Sequence, residues 1–238
     1  MYWSFPCPSI FSGDCVKNLY YVSVEGVIGV GKTSLAHLLE ERLNAKLVME
    51  KFDENPFLAD FYLDPERYAF QTQLFFLLSR YRQQQELRQT DVFHKLVISD
   101  YMFVKDRLFA SLNLDDKEMS LYDSVAKILE KNILNPDLVI YLQAETPKLM
   151  ERITLRGRDF EKNMSPDYID ALNQIYNEYF FRYQESPLLI INTNDIDFVH
   201  NEEDLEEVIR YIRQPVSGTK FFNPASNLWC SRHFYFLP

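Results

Sequence analysis

The hydrophobic positions of this chain follow two patterns that alternate along its length. Short continuous apolar runs predict buried strands, and they stand at 19–26, 46–52, 95–100, 137–143 and 187–193. Stretches with helical period are found at 33–44, about 65–88, 103–112, 118–134, 147–156, 166–184 and 202–213. Strands that alternate with helices are typical of a parallel sheet covered on both faces. We therefore predict an α/β fold with a five-stranded, doubly wound parallel sheet, whose ligands bind beyond the carboxyl ends of the strands.

The two ends of the chain show neither period. Residues 1–18 and 215–238 are rich in aromatic residues, proline and serine, and we expect them to be peripheral extensions of one domain at 19–213. The 238 residues are 47% hydrophobic, which is enough for one substantial core. No apolar run approaches the roughly 20 residues of a membrane span, and the N-terminus lacks the pattern of a signal peptide. We therefore expect a soluble, cytoplasmic protein without a membrane partner.

Charged and metal-binding residues exclude several classes of protein. Lys and Arg number 25 while Asp and Glu number 35, so the formal net charge is −10. This balance argues against a protein that grips nucleic acid by its phosphates over a broad surface. The three cysteines show no C-x-x-C spacing and the four histidines are scattered, so neither residue type predicts a zinc site. Any bound metal should be a hard cation held by oxygen atoms.

A glycine-rich segment directly follows the first predicted strand and leads into a helix. Its sequence, EGVIGVGKTS, contains the spacing G-x-x-x-x-G-K-T, which is typical of a phosphate-binding loop. Backbone N–H groups of such a loop wrap the phosphates, Lys32 reaches the β- and γ-phosphates, and the Thr33 hydroxyl binds Mg²⁺. A tight turn that merely favours glycine would not need this lysine and threonine. The residues predicted to bind a nucleoside triphosphate are Gly26, Val27, Ile28, Gly29, Val30, Gly31, Lys32, Thr33 and Ser34.

Acidic residues end the next two predicted strands. Glu50 falls at the end of the second strand and Asp100 at the end of the third, so both carboxylates should project over the phosphate loop. Phosphoryl transfer needs an aligned acceptor, a carboxylate near its proton and Mg²⁺ on the phosphates. Glu50 fits the role of base, and Asp100 fits the Mg²⁺ shell together with Thr33. The alternative is that these strand-end acids simply face solvent.

Three arginines cluster after the fourth predicted strand, in the segment ERITLRGRDFEKN. Arg152 and Arg156 stand one helical turn apart, and Arg158 follows Gly157. In an acidic protein this cluster predicts a mobile lid, which closes over the transferring phosphoryl group and spreads its charge. A solvated basic helix end, favoured by the helix dipole, is the alternative and would account for one or two of the arginines.

Taken together, these features resemble the deoxynucleoside kinase family, and most closely its bacterial deoxyadenosine/deoxyguanosine kinase-like branch. The resemblance covers about residues 19–213, and six motifs carry it in order: EGVIGVGKTS, MEKFDENPFLADFYLDPERYAFQTQ, LLSRYRQ, SDYMFVKDRLFA, ERITLRGRDFE and NTNDIDF. It implies a phosphate-loop nucleoside kinase fold with an arginine-rich lid, ATP and Mg²⁺ as cofactors, a deoxynucleoside substrate and a homodimer.

The resemblance also implies roles for residues around the acceptor. Glu50 would accept the proton of the sugar 5′-hydroxyl, with Asp100 beside it, and Gln73 would pair with the nucleobase. Arg80 and Asp106 match a pair that other members place against the base edge.

Further roles concern the sugar, the lid and the donor. Tyr62 and Glu161 match residues that hold the sugar 3′-hydroxyl. Arg156 and Arg158 would act in the transfer, while Arg152 and Arg156 would contact the donor nucleotide. The motif NTNDIDF resembles a loop that passes near the donor adenine, and its candidate residues are Asp195, Asp197 and Phe198.

The helix predicted at 65–88 agrees with part of this assignment. Gln73 and Arg80 lie two turns apart along the edge of an apolar stripe, where half-buried polar groups need partners such as a base edge. Ordinary helix-flank positions are the alternative for both residues. The residues of the stripe are Phe70, Leu74, Leu77, Leu78 and Tyr81.

One departure from the family pattern follows the third strand. Many members have an arginine directly after the strand-end acid, whereas this chain reads Ser99-Asp100-Tyr101. Lys105 and Arg107 are the candidates to supply the missing cation near the 5′-hydroxyl.

We therefore expect ATP-dependent phosphorylation of the 5′-hydroxyl of a purine deoxynucleoside, deoxyadenosine first, for nucleotide salvage. A thymidylate-type nucleoside monophosphate kinase is one alternative, although a carboxylate at Glu50 would repel its acceptor phosphate. A non-enzymatic nucleotide-dependent switch is the other alternative.

Overall fold

The computed structural model describes residues 20–87, 96–162, 164–214 and 216–223. Within these residues, one parallel sheet has the strand order β2-β3-β1-β4-β5-β6. Its strands are β1 (Tyr21–Gly26), β2 (Lys46–Val48), β3 (Val97–Ser99), β4 (Leu138–Gln143), β5 (Leu188–Asn192) and β6 (Thr219–Phe222). The predicted α/β fold with a doubly wound parallel sheet is thereby confirmed.

Helices cover both faces of this sheet. The α-helices in the described residues are α1 (Lys32–Leu43), α2 (Leu58–Leu63), α3 (Pro65–Leu87), α4 (Lys105–Asn113), α5 (Asp116–Glu130), α6 (Thr146–Arg156), α7 (Pro166–Phe181) and α8 (Glu202–Arg213). Short 3₁₀ turns occur at Phe52–Glu54 and Asp159–Glu161. The sequence did not predict α2, and α5 ends at Glu130 rather than near residue 134. None of the helices described is long and apolar enough to span a membrane.

The sheet has one strand more than the five predicted. Residues 219–222 were expected to lie outside the core, but they pair with β5 as its parallel neighbour β6. Phe222 is buried, and its ring lies 4.4 Å from that of Tyr211 on α8. The run TKFF is too short to show a period in the sequence, and it forms a strand through its backbone pairing with β5. The expectations for 1–18 and 224–238 lie outside the described residues.

The central strands form the core because they are apolar on both faces. Every residue of β1 is buried, as are all residues of β4 except Gln143. Helix α7 packs aromatic side chains on this sheet, and the rings of Phe180 and Tyr141 are stacked with 4.1 Å between their centroids. Continuous apolar runs in the sequence therefore correspond to strands that are covered on both sides.

Helix α3 buries most of the predicted apolar stripe and also the polar edge beside it. Leu77 of the predicted stripe is fully buried, but Leu78 is exposed. Polar residues of the same helix are buried as well, among them Gln73 and Arg80. The stripe prediction was wrong for Leu78, whereas Phe70, Leu74, Leu77 and Tyr81 pack in one apolar cluster with residues of α4 and α5.

Candidate active site

The phosphate loop connects β1 to α1 with a backbone that requires glycine. Gly26 has φ +150°, and a Cβ atom there would lie 2.6 Å from the carbonyl oxygen of Leu142. Gly29 has φ +86°, and its Cβ would lie 2.8 Å from the carbonyl oxygen of Leu149. Lys32 begins α1, and its Nζ donates to the carbonyl oxygens of Gly26 at 2.8 Å and Val27 at 3.1 Å. The strand-loop-helix arrangement expected from the motif is therefore present.

The two strand-end acids meet beside this loop. The hydroxyl of Thr33 donates to Oδ2 of Asp100 at 3.0 Å, and the N–H of Glu50 donates to Oδ1 of Asp100 at 2.7 Å. Asp100 therefore joins the end of β3, the segment after β2 and the start of α1. A hydroxyl and a carboxylate at the first turn of α1 are oxygen ligands of the kind that Mg²⁺ prefers.

The Glu50 carboxylate is held between two cations. Arg80 of α3 donates to Oε1 and Lys105 of α4 donates to Oε2. Burial opposes the ionisation of Glu50, but the charges of Arg80 and Lys105 and their hydrogen bonds outweigh it and hold the pKa of this carboxyl well below its ordinary value. Glu50 is therefore a partly buried anion, and two residues orient its carboxylate by binding both oxygens.

The pKa of Lys32 is lowered by burial and by a neighbouring charge. Burial is the largest cause and the positive charge of Lys105 adds to it, and together they lower the pKa of Lys32 from 10.5 to about 8. Glu25, Glu50 and Asp100 oppose this shift. An anionic ligand such as a phosphate would favour the charged form of Lys32 and reverse part of the shift.

Arg80 also pairs with Asp106, the second residue of α4. Both side chains are buried, and Nη1 of Arg80 donates to Oδ1 of Asp106. In the described part of the chain, Nε of Arg80 and Oδ2 of Asp106 have no hydrogen-bond partner. Because unpaired buried polar atoms are costly, these two mark a place where a further polar ligand would be stabilising.

Of the two candidate cations after β3, Lys105 lies at the cleft and Arg107 does not. Tyr101, which stands where many family members have arginine, is fully buried and does not line the cleft. Lys105 lies one helical turn further on, reaches Glu50 and lines the cleft. Arg107 instead faces outward and lies 3.5 Å from Asp123.

The lid arginines are held by an acid from their own segment. Arg156 donates to both carboxylate oxygens of Glu161 at 2.7 Å, and Arg158 lies 3.6 Å from the same carboxylate. The Arg158 guanidinium stands 4.1 Å over the ring of Phe52. The ring of Tyr62 is stacked on Phe160, 5.8 Å away. The segment after α6 is thus folded onto the segment that follows β2.

Arg152 contacts different partners from the other two arginines. It donates to the carbonyl oxygen of Val30 at 3.2 Å and to the carbonyl oxygen of Thr193 at 2.7 Å. It therefore ties α6 to the phosphate loop and to the segment after β5. In that segment, Phe198 is buried against Gly31, while Asp197 is exposed.

These elements enclose a cleft between the phosphate loop and α3. The predicted site residues that line it are Ile28, Lys32, Thr33, Glu50, Tyr62, Gln73, Arg80, Asp100, Arg156, Arg158 and Glu161. Those that do not line it include Asp106, which lies behind Arg80, and Arg152, Asp195, Asp197 and Phe198. Asp195 lies beside a separate surface depression with Lys148 and Glu151.

Sequence reasoning missed the apolar walls of the cleft. Phe52, Phe76, Phe109 and Phe160 line it from four different segments. Flat aromatic walls suit a planar ring, because stacked rings bury area and gain favourable contact. The phenylalanines in the motifs MEKFDENPF and RGRDFE could have been a signal, but no spacing in the sequence indicates that they face one another.

Comparisons with known proteins agree with this architecture. The family model described as deoxynucleoside kinase matches residues 22–217. The chain is 31% identical to a deoxyguanosine kinase of Bacillus subtilis over 201 residues, which covers 82% of this chain and 96% of that protein. It is 34% identical to a deoxyadenosine kinase of Dictyostelium discoideum, with 85% of this chain and 82% of that protein covered.

Solved structures show the same fold. A deoxyadenosine kinase from M. mycoides, in a structure with bound dATP, has a TM-score of 0.72 at 21% sequence identity. The alignment covers 82% of this chain and 100% of that chain.

Proposed function

The chain belongs to the deoxynucleoside kinase family, and from this premise we propose that it transfers the γ-phosphoryl group of ATP to the 5′-hydroxyl of a purine deoxynucleoside, deoxyadenosine first. The expected role is nucleotide salvage in the cytoplasm. The acceptor would lie in the aromatic-walled cleft and the donor on the phosphate loop.

The charge balance of the acceptor side is the observation that carries this proposal. Two cations, Arg80 and Lys105, are already paired with two carboxylates, Glu50 and Asp106. A monophosphate acceptor would bring about two negative charges to a place where these cations are neutralised. A neutral nucleoside needs only hydrogen bonds there, so the balance favours a nucleoside kinase over a thymidylate-type kinase.

The transfer can be written with the residues of this cleft. The 5′-oxygen forms a bond to the γ-phosphorus while the bond from that phosphorus to the β–γ bridging oxygen breaks, and ADP leaves. Glu50 takes the proton of the 5′-hydroxyl, and Lys105 and Arg80 keep its carboxylate oriented. Lys32 would donate to the β- and γ-phosphates. Little base strength is needed because the transition state is largely dissociative.

Mg²⁺ fits the oxygen atoms beside the phosphate loop. Thr33 and Asp100 would hold it, and it would supply neutralisation of charge on the phosphate oxygens when bound. In the part of the chain that the structure describes, no cluster of three or more His, Cys, Asp or Glu side chains could hold a metal ion. This suits a cation that keeps water and phosphate oxygens among its ligands.

Sugar and lid would be coupled through Glu161. We expect Tyr62 and Glu161 to bind the 3′-hydroxyl, which would draw on the same carboxylate that now holds Arg156. Arg156 and Arg158 would then turn toward the transferring phosphoryl group and stabilise its charge. Arg152 and the segment with Asp195, Asp197 and Phe198 would border the donor nucleotide.

Base recognition would fall to Gln73 and Arg80, with Asp106 acting through Arg80. An amide can donate and accept at once, so Gln73 suits the edge of a purine that offers both kinds of group. Relatives named deoxyguanosine kinase, deoxyadenosine kinase and deoxyadenosine/deoxycytidine kinase support a preference for purines, with deoxycytidine as the next candidate.

Transfer from ATP and Mg²⁺ to each of the four deoxynucleosides, and in parallel to their 5′-monophosphates, tests the proposal. We expect phosphorylation of deoxyadenosine or deoxyguanosine and none of the monophosphates. Activity on monophosphates alone would overturn the proposal in favour of a monophosphate kinase. Absence of transfer to all eight acceptors, with retained ATP binding, would overturn it in favour of a switch.

A homodimer packed through helices is also proposed. Leu121 and Ile128 of α5 and Leu78 of α3 expose apolar side chains to solvent. Such surface is stabilised when a second copy covers it. Light scattering should give twice the mass of the 28.3 kDa chain, and Ile128→Glu should shift the equilibrium to the monomer.

A further inference from the structure

A buried carboxylate that the proposed transfer does not use lies beneath the phosphate loop. Glu25 is the penultimate residue of β1, and its side chain is fully buried. Its Oε1 accepts a hydrogen bond from the N–H of Gly26 at 2.9 Å, and its Oε2 accepts one from the N–H of Met102 at 2.8 Å. The hydroxyl of Tyr176 lies 3.4 Å from Oε1. One side chain therefore joins the phosphate loop to the segment between β3 and α4.

Glu25 acts where the strand ladder has stopped. The parallel pairing of β1 with β3 ends at Ser23 and Ser99. Beyond that pair, side chains of β1 replace the ladder: the hydroxyl of Ser23 donates to the carbonyl oxygen of Tyr101 at 2.8 Å, and Glu25 binds the N–H of Met102. Without these contacts the two chain segments would be free to separate beyond the sheet.

Both segments that Glu25 holds lead directly to functional groups. The carbonyl oxygen of Gly26 also accepts from Nζ of Lys32, so Gly26 is held through both its N–H and its carbonyl group. Met102 follows Asp100 by two residues, and its carbonyl oxygen accepts from the N–H of Lys105 at 3.1 Å at the start of α4. A shift of Met102 would therefore move Asp100 and Lys105 relative to the phosphate loop.

Packing does not explain a carboxylate at this position. Tyr21 and Ser23, its neighbours on the same face of β1, are also buried but carry no charge. Burial raises the pKa of Glu25, while the charges of Lys105 and Lys32 and the two backbone N–H groups oppose that shift. An apolar side chain would fill the same space without the desolvation penalty of a carboxylate. What it could not do is accept two N–H groups from two segments at once.

We propose that Glu25 is a positioning residue, which sets the distance between donor phosphate and acceptor hydroxyl by holding Gly26 and Met102 on one carboxylate. This inference rests on the proposed kinase function. It adds a residue that touches neither substrate but aligns the two halves of the site, and alignment within about 1 Å is worth as much as 10²-fold in rate.

Glu25→Gln is the decisive variant because it is nearly the same size. Its amide NH₂ must face one of the two backbone N–H donors, so one of the two contacts is lost. We expect kcat to fall by about 10²-fold, while the KM values for ATP and for the deoxynucleoside change little. A dinucleoside polyphosphate that spans both halves of the site should lose affinity similarly, whereas ATP alone and deoxynucleoside alone should bind as before.

Ser23→Ala is the matched control. Ser23 lies on the same face of β1 and also bonds the segment after β3, yet Ser99 donates to the same Tyr101 oxygen at 2.7 Å. We expect it to lower Tm but to leave kcat and the affinity for the dinucleoside polyphosphate near those of the unmodified protein. A loss of kcat in Ser23→Ala equal to that in Glu25→Gln would overturn the inference, because general loosening of the sheet would then explain both.

Glu25→Asp decides the question if Glu25→Gln does not fold. It keeps the charge and the bond to Gly26 but is too short to reach Met102, so kcat should again fall at little changed KM. Unaltered kcat and unaltered dinucleoside polyphosphate affinity in either variant would overturn the inference, whatever the change in Tm. Failure of the proposed function is distinguishable, because it would appear in the unmodified protein as absence of transfer to every deoxynucleoside.

Discussion

At the scale of single residues, the cleft is organised by compensated charge. Glu50 is partly buried, and two cations from different helices keep it ionised and bind both of its oxygens. Removing one member of such a group leaves the others uncompensated, so the effects of single substitutions should exceed those of surface charges. Base strength contributes little to this chemistry, and orientation of the anion contributes more.

Glu50→Gln removes the proton acceptor and keeps the size of the side chain. We expect kcat to fall by about two to four orders of magnitude, with the Kd for ATP largely unchanged, because the phosphate loop is untouched. Steady-state kinetics and ATP titration measure the two quantities. Glu54→Gln is a suitable control, since Glu54 is exposed and pairs with Lys51 at 3.3 Å. Near-normal kcat in Glu50→Gln would remove the role of base.

The pH profile should report the lowered pKa of Lys32, which lies at about 8. Lys32 is charged below this pH and loses its proton above it, so kcat/KM for ATP should fall as the pH rises through about 8 in the free enzyme. Lys105→Met removes a positive charge that repels Lys32. This should raise the pKa of Lys32 and move the fall in kcat/KM to higher pH.

Arg107→Met serves as the control for that shift. It removes a cation two residues away, which faces Asp123 at the surface rather than the cleft. A limb that moves equally in both variants would show that the overall charge of the protein, and not the contact of Lys105 with the cleft, sets the profile.

At the scale of elements, helices and loops present polar groups to one another across the cleft. Helix α3 buries a polar edge, and its Arg80 pairs with Asp106 of α4, which also carries the buried Lys105. The segment after α6 places Glu161 at the same cleft, where it binds Arg156. Helix α3 is also bonded to the segment after β2, where Asn55 donates to the carbonyl oxygen of Thr72 and Gln83 donates to that of Met49. The predicted apolar stripe packs on α4 and α5 except for Leu78, and the polar residues along its edge are buried too because the helix borders the cleft.

Glu161→Gln tests the coupling of lid and sugar. The unmodified protein should prefer a deoxynucleoside over the corresponding 2′,3′-dideoxynucleoside, and the variant should show a preference about 10- to 100-fold smaller, because a hydrogen bond to a charged group is lost. Ratios of kcat/KM for the two substrates measure it. Asp159→Asn is the control from the same segment, since Asp159 is exposed and pairs with Lys162 at 2.6 Å. An unchanged ratio in Glu161→Gln would argue against the 3′-hydroxyl contact.

At the scale of the whole molecule, the strand order of the sheet determines which of the segments that follow the strands lie next to one another. The parallel order places the carboxyl ends of β1, β2 and β3 side by side, which brings the phosphate loop, Glu50 and Asp100 together. The edge strand on the other side of the sheet is β6, which pairs with β5 and which the sequence did not indicate. The site and the added strand therefore lie at opposite parts of the same sheet.

Two adjacent phenylalanines of β6 allow a matched test of this strand. Phe222 is 1% exposed and packs on Tyr211, while Phe221 is 71% exposed. We expect Phe222→Ala to lower the free energy of unfolding by about 3–5 kcal/mol, and Phe221→Ala to change it by about 0.5 kcal/mol or less. Urea denaturation measures both. Equal effects would contradict the burial of Phe222 in the core.

Features that depend on neighbouring residues could be predicted from the amino-acid pattern. Apolar runs, helical period, the spacing of the phosphate loop and the acids at strand ends are local, and they predicted the parallel α/β fold and the location of its cleft. Tertiary structure alone decided which distant groups meet. Arg80 and Lys105 reach Glu50 from 30 and 55 residues away, and no period or spacing encodes such contacts, because they depend on how separate elements pack.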